Sequence, residues 1–217
     1  MKKSQSSKQW LRRHVSDPYV QRSKREGYRS RSAYKLTEID ARDKLLAPGM
    51  TVVDLGAAPG GWSQVAAKRV GAAGRIVAVD LLPMQPIPGV TFVQADFAAR
   101  SGLQALDAAL EGRAADLVIS DMAPNLTGIA VTDQARAVEL AELAREFALL
   151  HLKRDGALLV KIFQGAGYDE YLKSLRRAFE KVVVRKPGAS RDESAEQYLL
   201  ARGPRPPVPK NRAPSGG

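Results

Sequence analysis

The chain contains no cysteine and only two histidines, His14 and His151. Disulfide staples and thiolate metal sites are thereby excluded, and two imidazoles so far apart in sequence give no reason to expect a metal centre. Long apolar runs are missing as well. Stretches such as Ala157-Leu-Leu-Val160 are far shorter than the roughly 20 residues that cross a bilayer. The basic N-terminus is not followed by the apolar core of a secretory signal, so the expectation is a cytoplasmic protein with no membrane attachment. Two phosphate-binding fingerprints are absent too. Neither G-x-G-x-x-G nor G-x-x-x-x-G-K-[ST] occurs, which argues against a nicotinamide dehydrogenase and against a P-loop nucleotidase.

Positive charge, by contrast, is abundant. Lys and Arg number 34 against 23 Asp and Glu, for a formal net charge of +11, and a domain that basic is expected to meet a polyanion. Ten of these cations crowd the first 31 residues, interleaved with Trp10, Tyr19 and Tyr28. Cations supply phosphate affinity and aromatics can stack on unpaired bases, so residues 1–30 are read as a flexible basic arm that contacts RNA. A merely solvated arm is the alternative. At 217 residues the chain suits one domain, placed at 31–203, with a disordered proline-rich tail over 204–217.

Short apolar strands alternate with helical stretches, which predicts an α/β sheet with helices on both faces. Strands are expected at 51–56, 75–81, 90–95, 115–120, 156–162, 181–186 and 197–202, and helices at 31–46, 60–70, 101–111, 133–153 and 168–179. The last two strands are joined by a polar loop too short for a crossover helix and should therefore pair antiparallel.

The most informative stretch is Thr51-Val-Val-Asp-Leu-Gly-Ala-Ala-Pro-Gly-Gly-Trp-Ser63, a strand running through a small-residue turn into a helix. Gly56, Gly60 and Gly61 permit backbone angles and close approaches closed to residues with a Cβ, so a ligand can lie against main chain at the carboxyl end of a strand. Pro59 removes an amide a phosphate cradle would want, and no Lys or Arg stands between Asp54 and Gln64. An adenosine-containing ligand without phosphates fits better. Asp54 could suit an amino group, and Asp80, closing the next strand, could accept from ribose hydroxyls. S-adenosylmethionine carries all of these groups; the alternative is that the glycines only permit tight packing.

Two polar residues at other strand ends stand out. Asp121 follows Leu117-Val-Ile-Ser120 on the same carboxyl edge. Lys161 interrupts the apolar run Leu158-Leu-Val-Lys-Ile-Phe163, and lysine is almost never buried unless paired. It is either a structural partner of Asp121 or an amine placed to act as a base.

The runs Ser30-Arg-Ser-Ala-Tyr-Lys-Leu36, Asp54 to Ser63, Ser120-Asp-Met-Ala-Pro-Asn125, Leu159-Val-Lys-Ile-Phe163, Lys186-Pro-Gly-Ala-Ser-Arg191 and Glu196-Gln-Tyr198 together resemble the FtsJ (RrmJ) family, in order, over about residues 30–203. That family comprises S-adenosylmethionine-dependent ribose 2′-O-methyltransferases acting on RNA, and among its members the chain is most similar to the short bacterial enzymes that methylate a uridine of large-subunit ribosomal RNA. The resemblance implies a Rossmann-like class I methyltransferase fold, with a seven-stranded, mostly parallel sheet and an antiparallel last strand. It implies a Lys35, Asp121, Lys161, Glu196 tetrad with Lys161 as proton acceptor or orienting group. Cofactor contacts would fall on Gly60, Trp62, Asp80, Asp96 and Asp121, Asp96 reaching the adenine amino group. The expected partner is ribosomal RNA, within the large subunit, bound by a monomer without a metal. Another RNA such as tRNA, or a non-catalytic RNA-binding module on the same fold, remains open.

Overall fold

Strand β1, Thr51–Leu55, is buried at every residue, and the sheet is built around it. In the computed structural model, which describes residues 17–125, 127–191 and 193–206, the elements follow in chain order. They are α1 (Pro18–Glu26), α2 (Ser32–Asp43), β1, α3 (Gly61–Val70), β2 (Arg75–Asp80), β3 (Val90–Gln94), α4 (Arg100–Leu110), β4 (Ala115–Ser120), α5 (Ala130–His151), β5 (Leu152–Phe163), α6 (Tyr168–Ala178), β6 (Phe179–Arg185) and β7 (Glu196–Pro204). The seven strands lie in the order β3-β2-β1-β4-β5-β7-β6. β1 through β5 pair in parallel. β7 is antiparallel to both its neighbours, so the short polar loop expected between the last two strands does make a hairpin, and β7 is inserted between β5 and β6.

Helices cover both faces. On one, Leu36 and Ile39 of α2 and Trp62, Val65 and Ala66 of α3 pack on Val52, Ile76, Leu117, Leu159, Tyr198 and Leu200. On the other, α4, α5 and α6 bury Leu106, Phe147, Tyr171 and Leu175 against Val53, Val77, Val118, Leu158 and Leu199. α5 meets that face through Ala137, Ala141, Ala144 and Ala148, a helical spacing of small residues that lets a long helix lie close to the strands.

Two differences from the sequence reading have local causes. α5 ends at His151 and the chain enters β5 at Leu152 without a loop, four residues earlier than expected. The added residues Lys153 to Asp155 are exposed, and the β4–β5 register slips between Ala115 and Leu117, so no apolar alternation marks them. The second is α1, where no helix was anticipated. Its signals were present: Asp17 accepts from the Tyr19 amide as N-cap, Pro18 opens the helix, and Gly27 ends it at φ 73°. α1 rests on α2 through Tyr19 and Tyr34, ring centroids 5.5 Å apart, and through the Tyr19 hydroxyl on Glu38. The strongly basic residues 1–16 and the tail from 207 lie outside the described residues, while Pro204 closes β7.

Candidate active site

The strand order reverses direction between β1 and β4, and at such a switch point the connections leave to opposite sides and open a crevice at the carboxyl ends. The glycine turn forms one lip. The Gly56 and Ala57 amides donate to the Val79 carbonyl at 2.9 and 3.0 Å, tying the turn to β2. Gly56 sits at φ +75° where a Cβ would collide with the Met122 side chain, and Gly60 sits at φ +107° with Ile87 Cδ1 2.7 Å from where its Cβ would stand. Both need glycine, for conformation and for space. Arg29 braces this lip from outside, donating to the Pro59, Gln85 and Pro86 carbonyls at 3.2, 2.6 and 2.8 Å.

Helix α3 starts directly from the turn, with Gly60 as its N-cap. Its first intrahelical acceptor is the Gly60 carbonyl, taken by Gln64, so the Gly61 and Trp62 amides keep the free donors of a helix N-terminus, a site suited to a carboxylate. The Trp62 side chain is turned away into the core, its Nε1 donating to the Ser32 carbonyl at 2.8 Å. Any ligand contact by Trp62 is therefore a main-chain one.

Asp54 lies beneath the turn, 1% exposed, accepting from Ser63 Oγ at 2.6 Å. Its carboxyl is committed to the start of α3 and does not line the open crevice. Burial pushes it up to about 7, against the opposing Ser63 hydrogen bond and with the charges of Asp121 and Asp80 adding. An unfolded chain ionises this group near 3.8, so between roughly pH 4 and 7 the folded state holds the extra proton and stability falls as pH rises. Asp54→Asn keeps an acceptor for Ser63 and removes the titration. Its Tm, followed by calorimetry from about pH 4 to pH 8, should decline less than that of the wild type; an equal decline would refute the assignment to Asp54.

Asp80 ends β2 with both oxygens engaged, Oδ2 by the Ala58 amide at 2.9 Å and Oδ1 by the Leu82 amide at 2.8 Å. Each oxygen retains a second lone pair, and the group is only half-buried. Asp96, in the loop after β3, is exposed, with Oδ1 accepting from the Ala98 amide at 2.9 Å.

The other lip belongs to β4, β5 and β7. Lys161 Nζ donates to the Asp121 carbonyl at 2.5 Å and lies 3.2 Å from Asp121 Oδ1. Lys35, entering from α2, pairs with Glu196 at 2.6 Å. All four side chains are largely shielded, between 8% and 18% exposed. Thus the structure brings the four expected polar residues together as two ion pairs. What joins the pairs is Tyr198, to which the sequence analysis assigns no role. It stands directly across from Lys161 in the β5–β7 register and its hydroxyl donates to Asp121 Oδ1 at 2.7 Å. Its ring lies 5.7 Å from the Lys35 ammonium and 5.7 Å from the Trp62 ring. Burial first, then Asp121 and Glu196, push the phenol well above its ordinary range, so it stays a proton donor. The available signal was its position two residues after Glu196 in a strand, which puts both on one face.

The arrangement is a crevice with bare amides and acceptors on the β1–β3 side and buried ammonium groups on the β4–β7 side. No group of three or more His, Asp or Glu able to hold a metal occurs among the described residues, and no helix among them is long and apolar enough to cross a membrane. Such a crevice can hold an adenosine-bearing ligand in one half and present a hydroxyl to a lysine in the other.

Comparison with known proteins agrees with that geometry. A family model described as FtsJ-like methyltransferase matches residues 28–204. The "Ribosomal RNA large subunit methyltransferase E" of Azoarcus sp. (strain BH72) is 58% identical over 200 residues, covering 92% of this chain and 98% of that protein. The protein of the same name from Thiobacillus denitrificans is 55% identical over 203 residues, covering 94% and 92%. A crystal structure from Plasmodium falciparum, described as that of a ribosomal RNA methyltransferase, superposes with a TM-score of 0.73 at 28% identity, covering 82% of this chain and 98% of that one. With a fold, a glycine turn and a buried lysine edge of this kind, and a match spanning nearly all of the described residues, the chain belongs to the FtsJ-like methyltransferase family.

Proposed function

We propose that the chain transfers a methyl group from S-adenosylmethionine to a ribose 2′-hydroxyl of large-subunit (23S) ribosomal RNA, on a uridine. The observation that carries the reading is the pair of shielded ion pairs, Lys161 with Asp121 and Lys35 with Glu196, set beside a glycine turn whose helix offers free amides. The names of the relatives support the substrate.

A ribose hydroxyl is a weak acid and needs a base or a group that steers its proton. S-adenosylmethionine, when bound, supplies a methyl already activated by its sulfonium sulfur, which the ribose oxygen accepts as the carbon–sulfur bond breaks. The Gly61 and Trp62 amides would take its carboxylate, Asp80 its ribose hydroxyls and Asp96 its adenine amino group. Gly60 leaves room for main-chain approach, with Gly56 and Pro59 shaping the turn. On the other side, Asp121 holds Lys161 Nζ at the crevice, where, after giving up one of its own protons to solvent, the free amine receives the hydroxyl proton. Tyr198 fixes the Asp121 carboxylate by donating to it, and the Lys35–Glu196 pair presents the ribose. Holding both partners in line can supply about 7–11 kcal/mol of the barrier, and a positioned base a further factor of about 10²–10⁴.

The enzyme acts as a cytoplasmic monomer in this reading, and the cations of residues 1–16, Lys2, Lys3, Lys8, Arg12 and Arg13, add phosphate contacts to the RNA. Mapping 2′-O-methyl sites in ribosomal RNA from cells with and without the protein tests the assignment. Loss of methylation at one uridine of the large-subunit RNA is expected; an unchanged map, or a loss confined to tRNA, overturns it.

A further inference from the structure

A second concentration of charge lies on the α2 face of the β6–β7 edge, away from the crevice. Lys181 and Arg202 stand directly opposite each other in the antiparallel register, and Arg185 faces Tyr198 in the same register. With Arg42, from the last turn of α2, these three line a cavity of about 330 Å³ whose apolar wall is Val183 and Leu200.

Four cations there share one carboxylate, that of Asp43. That carboxylate is already taken. Arg185 grips both its oxygens, at 2.7 and 2.6 Å. The Arg185 hydrogen bonds, followed by the charges of Arg42 and Arg202, hold Asp43 below the ordinary carboxylate range. Arg202 also donates to the Asp43 carbonyl at 2.7 Å. The side chains of Arg42 and Lys181 are exposed and make no hydrogen bond or ion pair among the described residues.

Like charges placed directly opposite in a sheet destabilise it. Cations on the outer strand β6 alone would be an ordinary guard against strand pairing. That guard needs neither a cavity nor arginines from β7 and α2, which are not at the sheet edge. A polyanion relieves the repulsion and accounts for all four positions at once. Along β7, Arg202 is four residues from Tyr198, about 13 Å of strand, so one nucleic-acid chain can reach both places.

We propose that this groove binds the phosphate backbone of the RNA substrate on a segment flanking the methylated nucleotide. The proposal rests on the ribosomal-RNA reading above. The test uses the full-length protein and its Arg42→Gln/Lys181→Gln variant, both positions lying outside the crevice. A large-subunit ribosomal RNA fragment containing the methylated uridine is titrated at several salt concentrations. RNA affinity at low salt should fall about tenfold, and the slope of log K against log salt should become shallower by about two, one for each lost cation. Affinity for S-adenosylmethionine and kcat at saturating RNA should be unchanged, and Tm should hold or rise as the repulsion is relieved. Unchanged RNA affinity and salt slope overturn the groove alone, as does an affinity loss that tracks a lowered Tm. A wild type that neither binds S-adenosylmethionine nor methylates the fragment overturns the parent reading instead.

Discussion

Replacing Lys161 with alanine should lower methyl transfer into ribosomal RNA by about 10²–10⁴-fold, the range a positioned acid or base supplies, while leaving cofactor affinity within about threefold. The split follows from the geometry. Lys161 touches Asp121 and stands across from Tyr198, both on the β4–β7 lip, whereas the amides of α3 and the carboxylates of Asp80 and Asp96 belong to the other. Removing the ammonium leaves Asp121 with its Tyr198 hydrogen bond, so the lip keeps its shape. Transfer of radiolabelled methyl, read beside calorimetric titration with S-adenosylmethionine, separates the two effects. Activity within tenfold of wild type would remove Lys161 from the chemistry.

Gly102→Ala is expected to act on the opposite lip. Gly102 sits in the first turn of α4, and a Cβ there would run into the Asp96 carbonyl oxygen, with the carbonyl carbon only 2.7 Å away. These are backbone atoms, which cannot rotate aside as a side chain would, so the loop carrying the Asp96 carboxylate must shift. A shift of that kind should weaken S-adenosylmethionine binding by about tenfold, equivalent to about 1.4 kcal/mol, with kcat at saturating cofactor nearly unchanged. Overpacking itself should cost about 1–3 kcal/mol of stability. In an Asp96→Ala background the same substitution should add little further loss of affinity, because the two act through one contact. Full additivity would show that Gly102 matters only to the packing of α4.

The sheet was legible because its signals are local. Apolar runs such as Thr51-Val-Val-Asp-Leu55 and Leu158-Leu-Val160 alternate with helical periodicity, and a short polar loop forces the last two strands into a hairpin. The insertion of β7 between β5 and β6 was not legible, since strand order depends on pairings remote in sequence. The start and stop of α1 are encoded in Asp17, Pro18 and Gly27, but a short segment this rich in cations has the composition of a solvated arm as much as of a helix. The expectation that Trp62 meets the cofactor also changes character: the indole donates to Ser32 inside the core, which leaves only its amide for a ligand.

Taken alone, the sequence determined the class of fold, the glycine turn at a strand end, and an anomalous lysine inside an apolar strand. Each rests on neighbours within a few positions, where steric limits and burial act directly on residue type. The tertiary structure alone decided the pairing. Lys161 meets Asp121 across adjacent strands, Lys35 meets Glu196 from a helix near the other end of the chain, and Tyr198 bridges them because the antiparallel register sets it opposite Lys161. Hydrogen bonds and ion pairs act over a few ångströms in space, and only the assembled sheet brings residues so far apart in sequence to that range.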